Sequence, residues 1–379
     1  MMNNHRKIVY LLLCMVILGN SCRSEQQSET QFIDKAQQLL TLNEEGIIPD
    51  TEIDRFFNFI QENPQSLDFR LTDEEHEIEA MEIATSPDGN MRTYSIELYG
   101  FRGTPSYGFE TRTLLQYRAN DSVVCLELDS IRGYVTQITR IEPSKPLYML
   151  ADYEEFNAQG AHVFMNLMGL QITAQGTIAP APIFKKKTHL LTRLDWAWDE
   201  YGYDAETDQS ISSAELSDPY GIAYDTVSNE LHLPYIVTHG EYSIATEAHR
   251  VYQWNGKYFV DKGVAPLFDL HSGDFHIIID IQANGNYRYR CWNKGRKIDD
   301  KPSLQIENGI KKYWNTDETI FDHDTFYGEF QSEPSGQIYL FQNRGFRYEY
   351  HIGDIQGKVV NKLCIYNPQN DLIYEQSYD

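Results

Sequence analysis

The pattern of apolar and polar positions changes three times along the chain. Ile8 to Leu18 form an unbroken apolar run behind the basic pair Arg6 and Lys7. The run is shorter than the ~20 residues that span a bilayer, and it matches the apolar segment of a cleaved secretory leader. Polar residues then continue through residue 31. Helical spacing comes next. Phe32, Ala36, Leu39 and Leu40 share one face, and Ile53, Phe56, Phe57 and Ile60 repeat at i, i+3, i+4, i+7. Thr51 and Asp54 form a loose capping box for the second helix, and Asn63-Pro64 ends it. This predicts an αα-hairpin whose aromatic stripe packs on the β-patterned segment after it.

From residue 78 the period is two. Short runs rich in Tyr, Val, Ile and Phe alternate with turn residues, as a pleated, half-buried surface requires. Turns are predicted at Pro87-Asp88-Gly89, Asn120-Asp121, Ser228-Asn229, Asn255-Gly256, Asn284-Gly285, Asn343-Arg344-Gly345 and Pro368 to Asp371. Asn-Gly between alternating strands is the strongest short hairpin signal. Hairpin after hairpin argues for antiparallel sheets. One stretch interrupts the pattern: residues 152–176 carry weak helical spacing at Phe156, Val163, Phe164 and Leu167, and predict a helix or an irregular crossover. A second break, "GVAPLFDLHS" at 263–272, suggests a domain boundary. The expected fold is mainly β, with antiparallel sandwich- or barrel-type sheets in two domains, preceded by the αα-hairpin. The expected divisions are 1–21 signal peptide, 22–31 tether, 32–66 αα-hairpin, 67–265 β-rich domain and 266–379 C-terminal antiparallel β domain.

The border between leader and tether reads Leu18, Gly19, Asn20, Ser21, Cys22. Small residues before a cysteine at the end of an apolar run resemble the lipobox of bacterial lipoproteins. The resemblance implies cleavage before Cys22 and a diacylglycerol on its sulfur. The aliphatic residue sits one place further from the cysteine than is usual in that family. The strands "GIAYDTVSNELHLPYI", "RVYQWNGKYFV", "NGNYRYRCWNKGRKIDDKPSLQIENG" and "YLFQNRGFRYEY" together resemble a group of uncharacterised bacterial envelope lipoproteins. That likeness covers about residues 80–379. It implies a cell-envelope location and a lipid anchor, at the outer membrane or its periplasmic face, and supplies no catalytic residues.

Charge narrows the partners. With 56 acidic and 32 basic residues the formal net charge is −24, which repels nucleic acid and anionic lipid surfaces. The expected partners are the membrane, through the lipid alone, and a glycan or an envelope protein. Cys125, Cys291 and Cys364 form no C-x-x-C motif; Cys291 and Cys364 either bridge in an oxidising compartment or pack as small buried side chains.

Three clusters carry candidate chemistry. "LTRLDWAWDEYGY" alternates Trp196 and Trp198 with Asp195 and Asp199. On a strand this gives either a sugar-stacking platform with hydrogen-bonding carboxylates or a core strand with an acidic outer face. "DAETDQSISSAE" places Asp204, Glu206, Asp208 and Glu215 at calcium-loop positions 1, 3, 5 and 12, with Gln209 where the turn favours glycine. Calcium is the only cofactor this suggests, against a solvated acidic loop. "FDLHSGDFH" holds Asp269, His271, Asp274 and His276, and "FDHD" holds Asp322, His323 and Asp324. Such residues bind zinc or iron, or stand as polar loop residues between strands. The sequence thus leads to a lipid-anchored envelope binding or interaction protein without catalytic activity. The alternatives are an envelope hydrolase of glycans or peptides using Asp/Glu residues, and a structural subunit of an envelope assembly.

Overall fold

A computed structural model describes residues 29–41, 48–71, 81–98, 111–131, 133–157, 161–199, 201–204, 209–212, 221–239, 242–314, 320–321, 336–355 and 358–378. The chain is mainly β, with predominantly antiparallel sheets that include a parallel pairing at Asp199 and Ile244, behind two N-terminal helices. It divides into two compact units. One comprises the described residues up to Ala197 with Gly256–Tyr258, and the other Trp198–Asn255 with Phe259 onward. Residue 265, the expected domain boundary, lies inside the second unit. Among the described residues no helix is long and apolar enough to cross a membrane.

In the first unit, helix α1 (29–39) and helix α2 (Asp50–Glu62) bury the predicted stripe. Phe56 and Ile60 are wholly buried and pack with Phe32, Ala36 and Leu40 on Tyr94, Ile96 and Leu114. The capping box does not form: Pro49 precedes the first turn and no side chain caps it. Strands β1 (Met81–Thr85), β2 (Met91–Glu97), β3 (Thr111–Ala119) and β4 (Ser122–Glu127) make a four-stranded antiparallel sheet under the helices. Its other face, with Met91, Leu115 and Tyr117, packs on Val135, Tyr148, Leu150, Met168 and Leu170. Those residues lie on β5 (Tyr134–Glu142), β6 (Leu147–Asn157) and β7 (Ala161–Ile172), which pair antiparallel in that order, with β8 (Ile178–Pro180) beyond.

The helix or crossover expected at 152–176 is therefore two strands. Met165 and Leu167 on one face of β7 are as buried as Met168 and Leu170 on the other. A strand covered on both sides loses its period-two signature, and a continuous apolar run mimics a helix. Gly169 on β7 is needed for a close approach: a Cβ there would lie 2.4 Å from the Ala181 carbonyl oxygen. The unit ends with β9 (Phe184–Lys186), β10 (His189–Leu191) and most of β11 (Arg193–Asp199).

One buried group in this unit sets a pH dependence. Asp152 on β6 is 1% exposed and faces Asn166 across the ladder. The Asn166 amide donates to its carboxylate at 2.9 Å. Burial pushes the Asp152 carboxyl up to about 6, only partly offset by that bond. A raised acid favours the folded state while protonated. Its contribution is complete below the unfolded value near 3.8 and is lost as pH rises through about 6. At ~1.4 kcal/mol per unit, ionisation costs about 3 kcal/mol. Asp152→Asn is expected to stabilise the fold by up to about that amount at roughly pH 7.5 and to be near neutral at roughly pH 4. Urea denaturation at both pH values measures it; equal shifts would place the charge penalty elsewhere.

In the second unit, β12 (Tyr201–Asp204) and β13 (Gln209–Ser212) form a hairpin. Strands β14 (Ala223–Asp225), β15 (Glu230–His239), β16 (Tyr242–Trp254) and β17 (Phe259–Val264) pair antiparallel in sequence order. A nine-stranded antiparallel sheet completes the unit: β18 (Phe268–His271), β19 (Phe275–Ile281), β20 (Tyr287–Asn293), β21 (Leu304–Trp314), β23 (Gly336–Asn343), β24 (Phe346–Ile355), β25 (Lys358–Tyr366) and β26 (Leu372–Ser377), with β22 (Ile320–Phe321) beside β21. One face carries Leu270, Ile277, Ile279, Tyr289, Cys291, Ile306 and Phe341 into a common core.

Cys125, Cys291 and Cys364 are free thiols. Burial pushes Cys125 up to about 11, which keeps it protonated and unreactive at neutral pH.

Candidate metal centre

The opposite face of β18–β20 is polar, and it gathers three residues singled out in the sequence. Strand alternation puts Asp269 and His271 on this face of β18 and His276, Ile278 and Asp280 on this face of β19. Register completes the placement: His271 pairs with His276, and Asp269 with Ile278. The turn between the strands holds only Gly273 and Asp274 between the closing pair Ser272 and Phe275, whose backbone groups bond at 2.8 Å. So short a turn brings the two imidazoles side by side. Their rings stack with centroids 4.1 Å apart and planes 19° apart.

Asp269 Oδ1 lies 2.6 Å from His276 Nε2 and 3.1 Å from His271 Nε2. The three donor atoms fall within 4.8 Å of one another. Two imidazole nitrogens and one carboxylate oxygen at these separations form a donor set for a borderline divalent ion such as zinc or iron(II). With three protein ligands, such an ion keeps open positions for water or an outside ligand. His276 is the anchored member: its side chain is 20% exposed and rests on Trp292, centroids 5.6 Å apart. His271 is the solvent-facing member, with 69% of its side chain exposed.

The neighbouring face is electrostatically complete. Asp280 is 11% exposed and takes a two-pronged pair from Arg288 at 2.8 and 2.9 Å, with Arg290 on the same carboxylate. That carboxylate is committed and offers nothing to an ion. Asp274, grouped with the cluster in the sequence, stands apart. It is 79% exposed, and among the described residues its ion-pair partner is Lys294 at 3.9 Å.

The loop expectation for Asp269 and His271 thus gives way to a paired edge strand. Gly263 and Pro266 suggested a break, but the strand starts two residues after the proline. The signal that identifies the site is the Gly273-Asp274 dipeptide, a short-hairpin turn. Trp292, which supports His276, was missed because nothing local marks a cross-strand neighbour sixteen residues away.

The other candidates separate. Trp198 is 4% exposed, so Trp196 and Trp198 do not present two rings to solvent. Trp196 is half-buried, and its indole N–H is buried with no acceptor among the described residues. Asp195 is exposed and ion-paired with Arg193. Asp199 is buried, and its carboxylate accepts the Ser243 N–H at 2.7 Å. The acidic outer face expected for this strand is therefore divided between a surface pair and a buried structural bond. Of the calcium-loop residues, Asp204 ends β12, opposite Gln209. Glu206, Asp208 and Glu215 lie outside the described residues, as do Asp322, His323, Asp324 and Cys22.

No protein-family model matches the chain, and no curated protein matches it.

Proposed function

We propose that this chain is a lipid-anchored protein of the bacterial cell envelope that works by binding, and that its second unit holds a divalent transition-metal ion. The convergence of Asp269, His271 and His276 carries the metal reading. The Cys22 border supports the anchor, leaving the β units in the aqueous envelope rather than in lipid. Two rival readings lose their main feature. A glycan platform needs both tryptophans open, and Trp198 is buried. A subunit docking through its helices needs Phe56, Phe57 and Ile60 free, and all three are buried within the first unit.

Calorimetry with zinc on the full chain tests this. One-to-one binding is expected, weakened by about 100-fold or more in His276→Ala. Circular dichroism of the variant should match the parent, because an alanine fits this strand position. Absence of binding in the parent, or equal binding in the variant, would remove the metal from the function.

A further inference from the structure

The second unit carries another concavity, apart from the His–Asp cluster. An open groove of about 530 Å³ lies between the segment entering β21 and the turn joining β23 to β24. Lys301, Ser303, Gln305, Asn343 and Arg344 line it, and among the described residues no carboxylate does. That is unusual in a chain where acids outnumber bases by 56 to 32. Neither cation is neutralised: Lys301 and Arg344 make no ion pair with a described residue. Ser303 Oγ accepts the Asn293 N–H at 3.3 Å, which leaves its own hydroxyl proton to donate.

The position of Arg344 is a second, independent observation. It adopts φ +50°, in the left-handed region. The chain fills that region elsewhere mostly with Asn and Asp: Asn120, Asp121, Asn229, Asn308 and Asn370. Lys187 also stands there, at φ +52°; the two-residue turn between Asn343 and Phe346 calls for positive φ at Arg344 and Gly345, and Asn or Asp suits the first position best. The turn is also braced. Gly345, at φ +82°, lies so close to Pro368 that a Cβ would approach it to 3.2 Å. The guanidinium is therefore launched into the groove from a fixed base.

We infer that this groove binds a small soluble ligand through its phosphate group. A planar guanidinium grips an oxyanion with two parallel N–H bonds, an ammonium adds a point charge, and Ser303 and the Asn343 amide supply neutral donors, while the Gln305 amide donates to Glu307. The volume suits a ligand of metabolite size. This inference does not rest on the metal reading.

The test uses the full chain with inorganic phosphate and glucose 6-phosphate as probes, and glucose as the control, by calorimetry at constant ionic strength. Arg344→Asn is the informative variant. Asn is the residue this turn geometry favours, so the variant folds at least as well while losing the cation. The expected result is binding of both phosphate probes but not glucose. Arg344→Asn should weaken it about tenfold or more, with Tm unchanged or higher, and Lys301→Gln should act in the same direction. His276→Ala should bind the probes like the parent, which separates this groove from the metal centre. No binding by the parent up to ~10 mM, equal binding by Arg344→Asn, or loss of phosphate binding in His276→Ala would overturn the proposal.

Discussion

Trp292→Ala is expected to destabilise the second unit by about 4 kcal/mol. Trp292 is 1% exposed, the largest of the fully buried side chains among the described residues. It contacts the neighbouring strand, its own strand and the connection that follows. Its ring lies under His276, the Arg290 guanidinium sits 5.4 Å from its centroid, and its indole N–H donates to the Asp300 carbonyl at 2.7 Å. Alanine opens a ring-sized cavity and strands that carbonyl. Trp292→Phe isolates one part of the loss: it keeps most of the volume, removes the hydrogen bond, and should cost about 1–2 kcal/mol. Urea unfolding monitored by circular dichroism measures both variants. If the two cost the same, the ring would not be the source. Zinc affinity should fall in Trp292→Ala as well, because His276 loses the surface that holds its ring.

The second large effect belongs to Glu247. It stands on β16 and reaches the nine-stranded sheet. Lys311 Nζ donates to its Oε1 at 3.1 Å and the Tyr287 hydroxyl at 2.8 Å, with the Tyr339 hydroxyl at 3.3 Å. Burial works against its charge, but Lys311 and the hydrogen bonds outweigh that and hold its carboxyl below the ordinary value. Burial likewise works against the Lys311 charge, and Glu247 more than restores it. Tyr287 and Tyr339 are pushed well above 10, first by burial and then by the Glu247 charge. They stay protonated and act as donors. Glu247→Ala leaves a largely buried lysine and the Tyr287 hydroxyl without their acceptor, while the Tyr339 hydroxyl keeps Gln337 Oε1 at 3.0 Å, and should cost about 3 kcal/mol. Removing both charges together, as Glu247→Leu with Lys311→Met, should cost clearly less than the two single changes combined. An additive double variant would show that the pair does not interact. A depressed acid stabilises above its unfolded value near 4.5 and loses that contribution as pH falls through the lower folded value. The parent should therefore show an acid-unfolding limb that Glu247→Leu/Lys311→Met lacks.

How much of this was legible in the sequence depends on where the physics is local. Turns are local, so Asn120-Asp121, Asn284-Gly285 and Asn343-Arg344-Gly345 each fall at the hairpin they predict. Helix faces are local too, and Ile53, Phe56, Phe57 and Ile60 are all buried as their spacing requires. Strands β6 and β7 failed because burial on both faces erases alternation. At the site, residue types were legible and their meeting was not. Asp269 and His271 are related by strand period, but His276 joins them only through the register of a four-residue strand. The Glu247 network was invisible, since its partners Tyr287, Lys311 and Tyr339 lie 40, 64 and 92 residues away.

Strand β18 also closes one edge of the nine-stranded sheet. An edge strand offers unpaired backbone groups to any other extended chain, including another copy of this one. β18 is short, and the two residues on its polar face are an acid and a histidine. Two of the three candidate ligands are thus also polar residues of the kind that disfavour edge-to-edge pairing. Asp269 and His271 carry that second duty, while His276 sits one strand inward and does not. A variant at either edge position alters colloidal behaviour along with ligation. The interior histidine changes ligation alone, and a divalent ion bridging the two strands would staple the edge shut.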